Sequence, residues 1–179
     1  MKKLARLTAL LLTGALLLML TACSAAPGGS ASMTTEEIAA KQRLLDEINN
    51  YRASLDPSLA PLVEVKQLSD AEQELIEHFR TAGKTMLPMS EADKAIDRLT
   101  SKTKGWHSDM DFGSAWVIED NKWIYILTAK VPANTPEGKA ELWTALRGSN
   151  TFDNEVCTSI GIAVVTIDGQ MYWTCSVYY

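Results

Sequence analysis

The most constraining feature of the chain lies near its end, where two apolar runs flank Asp168-Gly169. An Asp-Gly pair between β-branched and aromatic runs signals a two-residue hairpin turn, because both turn positions need positive φ. Ser159 to Val165 and Met171 to Tyr178 are therefore expected to pair antiparallel. A turn at that dipeptide makes the numbers of facing residues sum to about 337, which sets Cys175 opposite Ile162. Cys157 then lies about five residues further along, roughly 17 Å away at ~3.3 Å per residue. A disulfide needs Cα atoms within ~7 Å. The register predicts two free thiols, Cys157 and Cys175, packed as small apolar groups. A bond forms only if the chain at Asn154-Glu155-Val156 folds back across the sheet.

The rest of the domain reads as alternating helical and extended segments. Thr34 with Glu37 forms a capping box that opens a helix to about Leu55, with Ile38, Leu44, Leu45, Ile48, Tyr51 and Leu55 as its apolar stripe. Asp56-Pro57 stops it, and Pro57 to Val65 is an extended link. Ser69 with Glu72 predicts the start of a second helix, with Ala71, Leu75, Phe79 and Ala82 on one face and Gly83 at its end. A third helix is expected from Ser90 to Leu99, then a polar loop from Lys102 to Gly105. Ser114 to Glu119 and Lys122 to Lys130 read as a hairpin around Asp120-Asn121. Thr135-Pro136-Glu137 starts a helix that buries Leu142, Trp143 and Leu146 and stops at Gly148. The order of three helices, two strands, one helix and two strands is an α+β pattern.

The first 35 residues stand apart. Lys2, Lys3 and Arg6 precede an apolar run from Leu7 to Leu20, about 14 residues and too short to span ~30 Å of hydrocarbon. The run ends in Leu20-Thr21-Ala22-Cys23, which resembles a bacterial lipobox. That resemblance implies a signal peptide over residues 1–22, cleaved before a lipid-modified Cys23. It implies a lipoprotein of the cell envelope, extracytoplasmic and anchored through Cys23 to the outer face of a membrane, because acyl chains bury ~0.8 kcal/mol per CH₂. Ser24 in place of aspartate points to the outer membrane if the host has two. Residues 23–35, rich in Gly, Pro and Ser, read as the lipidated cysteine and a flexible tether. Residues 36–179 are expected to form one domain. The chain holds 17 basic and 22 acidic residues; removing Lys2, Lys3 and Arg6 leaves 14 against 22, a net charge of −8. That sign argues against nucleic acid as a partner. Export also makes a Cys157–Cys175 disulfide the competing reading of the two remaining cysteines.

Several phrases in this order resemble the CAP (SCP-like) superfamily. Leu44-Leu45-Asp46-Glu47-Ile48-Asn49-Asn50-Tyr51-Arg52 is similar to its first helix, and Ala60-Pro61-Leu62 to the segment after it. Leu142-Trp143, Ser159-Ile160-Gly161-Ile162-Ala163-Val164 and Tyr172-Trp173-Thr174-Cys175 resemble its tryptophan helix and closing strands. The middle of the chain, residues 83–135, matches poorly. The resemblance implies an α/β/α sandwich with a small, mostly antiparallel sheet. It also implies a cleft with two histidines and two acids that sometimes holds a divalent metal. Here the histidine expected near Ser149 is missing, as is the glutamate expected near Gly113-Ser114-Ala115. The family is linked to lipid, peptide and protein binding, which is the range of ligands the resemblance implies.

The residues themselves offer little catalysis. His107 beside Ser108 and Asp109 is not a triad, because sequence neighbours on an extended chain point apart. His78 lies off the apolar face of its helix. Two histidines without a Cys/His cluster do not build a common zinc site. Asp109-Met110-Asp111 lacks the glycine and distal glutamate of a calcium loop. No Walker loop, GxSxG elbow or GxGxxG motif occurs. No cofactor or metal is expected, and an enzyme less than a binding domain. Trp123, Tyr125, Trp143, Tyr172 and Trp173 read as core aromatics. Trp106, His107 and Trp116 are the candidate ligand contacts. The competing readings are a residual hydrolase or metal-dependent enzyme using His107 with Glu119 or Glu141, and a structural envelope lipoprotein.

Overall fold

The computed structural model describes residues 33–149 and 152–179, with the folded unit starting at Met33. The expected signal peptide, the expected lipidation site Cys23 and most of the expected tether lie outside the described residues. The elements run α1 Thr35–Leu55, β1 Val63–Glu64, α2 Lys66–Ala82, β2 Met86–Pro88, α3 Met89–Lys102, β3 Ser108–Phe112, β4 Ser114–Glu119, β5 Lys122–Leu127, α4 Pro136–Ser149, β6 Ser159–Ile167 and β7 Gln170–Tyr178. The expected α+β class is observed, but as two small sheets, of orders β1-β6-β7-β3 and β2-β5-β4. Among the described residues only β1 and β6 pair in parallel. Among the described residues no helix is long and apolar enough to cross a membrane.

The expected hairpin register is found: Ile162 faces Cys175, and Ile167 faces Gln170 across the turn. Strand β6 is buried nearly throughout, and its two faces feed separate cores. Ile160, Ile162 and Val164 pack with Leu44, Ile48 and Tyr51 of α1 and with Leu142 and Leu146 of α4. Ala163, Val165 and Ile167 pack with Leu75, Ile76 and Phe79 of α2 and Ala92 and Ala95 of α3. Gly161 sets the closeness of α2, because a Cβ there would sit 2.8 Å from the backbone carbonyl of Leu68. Cys157 and Cys175 are both buried, and no disulfide joins them.

Several expectations need correction. The capping box at Thr34 is present, with Glu37 N donating to Thr34 Oγ1 and Thr34 N to Glu37 Oε2. Thr34 and Thr35 therefore belong to the domain and not to the tether. Ile38 and Leu55 sit at the open edge of α1 and are exposed. The second helix begins at Lys66, three residues before Ser69, so Ser69 and Glu72 are interior helical residues and cap nothing. Ser69 Oγ accepts the Ile162 N–H, and Glu72 turns toward β7. Ala82, at the solvent end of that helix, is exposed. Strands β1, β2 and β3 were not legible. Ser108–Phe112, to which no element was assigned, pairs with β7 as an edge strand.

Arg52, at the end of α1, is fully buried. Its guanidinium donates to the carbonyls of Ala60, Phe152, Asn154 and Cys157 at 2.7–3.3 Å. This one side chain fastens the links before β1 and β6 to the first core. Burial works against its charge and lowers its pKa, while the carbonyl oxygens replace the water it has lost.

Candidate functional site

The three expected ligand contacts do not gather in one place. His107 is exposed and stacks on Tyr179, with ring centroids 5.6 Å apart. Its backbone carbonyl accepts the Tyr179 N–H, which fixes the start of β3 against the chain end. Trp106 is half-buried, edge-on to Tyr178 at 6.2 Å. Trp116 belongs to the other sheet, against Tyr125 at 5.0 Å and Trp123 at 6.4 Å. Glu119 stands at the tip of the β4–β5 hairpin opposite Lys122, and Glu141 on the outer side of α4. Among the described residues no group of three His, Cys, Asp or Glu side chains is arranged to hold a metal ion.

Where α2 docks on β7 and β3 the fold brings together a polar cluster that sequence reasoning missed. Glu72 of α2 is buried, and both of its oxygens meet hydroxyls of β7. Thr174 Oγ1 donates to Oε2 at 3.1 Å, and the Ser176 hydroxyl contacts Oε1. Ser176 Oγ also lies 2.7 Å from Asp111 Oδ1. A serine hydroxyl has one proton and cannot donate to two carboxylates at once. A proton on Glu72 resolves that conflict. Burial pushes the Glu72 carboxyl up to about 7; the Ser176 contact opposes this, the Asp111 charge adds to it, and the Thr174 bond opposes it. Burial likewise pushes Tyr125 and Tyr178 up to about 12, with the Glu72 and Asp111 charges adding to it. Tyr125 Oη and Ser114 Oγ share a hydrogen bond of 2.6 Å. Glu72 was misread because Ser-x-x-Glu is equally the spacing of a capping box and of one helix face. The available signal was that its position falls on the Leu68–Leu75–Phe79 face.

An open cleft of about 360 Å³ lies elsewhere, between β3, the segment Thr128–Ala133 and α4. Phe112, Ala129, Val131, Leu142, Ala145 and Trp173 give it an apolar lining; Lys130, Glu141 and Gln170 are its polar members. A neighbouring cleft of about 320 Å³ shares Pro132, Ala133 and Leu142 with it. The polar groups of that second cleft are committed to one another. Lys139 Nζ lies 3.0 Å from a Glu47 oxygen and 4.9 Å over the Trp143 ring, and Arg43 donates to the Pro132 carbonyl at 2.9 Å.

Compared with family models, with curated proteins and with solved structures, the chain matches none.

Proposed function

We propose that the chain is a lipid-anchored envelope protein carrying a CAP-type binding domain, which holds an apolar group in the cleft between β3 and α4. The observation that carries this reading is the cleft's position and lining. The resemblance puts the family's site beside Gly113-Ser114 and after the tryptophan helix. The apolar cleft stands between Phe112, next to those residues, and Leu142 and Ala145 of that helix. At the positions where the resemblance would set a histidine and a glutamate the chain carries Ser149 and Ser114, and the cleft between them is lined mainly by carbon. An apolar concavity with a few polar members is the usual form of a small-ligand site. Its size suits an apolar peptide side chain or part of an acyl chain. Catalysis has no comparable support. The buried acid, Glu72, is sealed from substrate, and His107 stacks on Tyr179 in the open.

The test uses cis-parinaric acid as a fluorescent apolar probe. The mature chain is expected to enhance its emission. Ala145→Trp, at an exposed helix position that fills the cleft, is expected to weaken that binding at least about tenfold. Absence of enhancement would remove the ligand reading. Micromolar Zn²⁺ binding by calorimetry that vanishes in His107→Ala would put a metal-dependent enzyme in its place. For the anchor, Cys23→Ser is expected to abolish incorporation of labelled palmitate, and unchanged labelling would overturn it.

A further inference from the structure

Strand β3 closes one edge of the larger sheet, and among the described residues it is paired to β7 alone. Its register slips between Ser108 and Met110, and Gly113, at φ 92°, ends it. A Cβ at Gly113 would stand 2.2 Å from the Trp173 carbonyl oxygen, so the chain passes close to β7 there before it enters the other sheet. Edge strands of low β preference are the segments that open locally at small cost. Two side chains tie this one down. Phe112 sets its ring 4.8 Å from that of Trp173 and 5.8 Å from that of Phe152. Asp111 reaches the Ser176 hydroxyl at 2.7 Å and is otherwise exposed.

The second tie depends on a proton. The Ser176 hydroxyl lies between Asp111 and Glu72 and has one hydrogen to give. With Glu72 protonated, Glu72 donates to Ser176 and Ser176 donates to Asp111, while the other Glu72 oxygen still accepts from Thr174. With Glu72 ionised, the Ser176 hydrogen turns to Glu72, and Asp111 meets an oxygen lone pair across 2.7 Å. The groups that bear on Glu72 bring no positive charge: Thr174, Cys175, Ser176 and Tyr178 of β7, Asp111 of β3 and Tyr125 of β5. Strand β6, packed on the same helix, has no charged residue, and Arg98 and Lys102 of α3 are paired with Glu74. Burial holds the Glu72 carboxyl up at about 7, so the proton leaves near neutrality.

We propose that β3 is a pH-dependent latch: a proton relayed through Ser176 holds it against β7, and loss of that proton from Glu72 frees it. Once free, β3 takes Phe112 out of the wall of the apolar cleft. The sign follows from which state holds the proton more tightly. Glu72 gives up its proton more readily once β3 is away and water reaches it. Opening therefore rises with pH up to about 7 and levels off above it, by at most about tenfold per pH unit. The bearing on a ligand rests on the reading of the cleft as a binding site; the latch does not.

Amide hydrogen exchange of the mature chain, read by mass spectrometry and corrected for intrinsic rates at each pH, tests the latch. Peptides covering Ser108–Phe112 are expected to lose about tenfold in protection between pH 5.5 and 7.5, and those covering β6 to stay the slower at both. Glu72→Gln is expected to abolish the change, because a glutamine amide donates to Ser176 at every pH. His107→Ala, at the start of the strand, is expected to keep it. Asp111→Asn, at an exposed position and able to donate as well as accept, is expected to reduce the change to under about threefold. A tenfold change that survives either Glu72→Gln or Asp111→Asn overturns the latch. So does exchange of β3 and β6 in step, which would mean that the whole fold opens at once. Methyl cis-parinarate, an apolar probe with no titrating group, is then added at ten times its dissociation constant. It is expected to raise β3 protection about tenfold, because only the closed strand completes the cleft. No such rise, with the pH dependence intact, removes the ligand reading of the cleft and sustains the latch.

Discussion

The β6–β7 and β4–β5 hairpins turn on the same backbone solution. Asp168 and Gly169 have φ of 49° and 76°, and Asp120 and Asn121 have 49° and 59°. Both put apolar residues on both faces of their strands, yet their surroundings differ. Ile162 and Val164 of β6 face one core while Ala163 and Val165 face the other, and all are buried. In β5, Tyr125 and Leu127 are buried, while Ile124 and Ile126 between them remain part-exposed. Strands apolar on both faces normally lie under cover on both. The small sheet has Leu87, Tyr125 and Leu127 in a core, while Trp116, Ile118 and Trp123, on the same face by register, run past the edge of that core into solvent.

The largest expected effect falls on the fully covered hairpin, through the residue that fastens its approach. Arg52→Met removes the guanidinium that donates to the carbonyls of Ala60, Phe152, Asn154 and Cys157. Buried groups stripped of a partner cost ~1–3 kcal/mol each, and partial rearrangement brings the total to roughly 3–5 kcal/mol. Urea unfolding measures it. A loss below about 1 kcal/mol would show that water reaches these carbonyls and that the larger sheet is not sealed at this end.

The next effect depends on pH and belongs to the seam between α2 and the larger sheet. Glu72 has a folded pKa of about 7 against 4.5 as the ordinary value, so the folded state holds its proton more tightly. Stability from this group is full below about pH 4.5 and falls by roughly 3 kcal/mol as pH rises past 7. Glu37 works with the opposite sign. Burial raises its pKa, but the Thr34 and Thr166 N–H groups and the Arg80 charge outweigh this and hold it below 4.5. Its contribution is lost on the acid side, outside the Glu72 window. Glu72→Gln is therefore expected to flatten the stability profile between pH 4.5 and 7 and leave the acid limb intact. An unchanged slope over that window would mean that Glu72 is ionised in the fold.

What was legible in the sequence follows the same division. The β6–β7 register was readable because turn chemistry and strand composition agree and act locally. Helix α4 was readable from Thr135-Pro136, and Gly138 N does donate to Thr135 Oγ1 at 3.2 Å. Strand β3 was not readable, since Ser108-Asp109-Met110-Asp111 has little β preference and exists by pairing with β7. The polar cluster was hidden for a related reason. Glu72, Asp111 and Ser176 come from three distant segments, and only the docking of α2 on the sheet brings them together. The apolar cleft likewise depends on the path of Thr128–Ala133 over α4, which no periodicity reports.

The smallest expected effect tests the comparison most directly, by shortening one isoleucine in each hairpin. Ile162 is fully buried, and Ile162→Ala is expected to cost about 3 kcal/mol through lost burial and a residual cavity. Ile124 has neighbours from β2 and β4 on the outer face but no covering layer from the two cores, so Ile124→Ala is expected to cost about 1 kcal/mol or less. Both values come from urea unfolding of the same protein without lipid. Equal costs would show that the outer face is already covered in solution. If a second copy supplies that cover, the Ile124→Ala cost rises with protein concentration, because association stabilises by mass action.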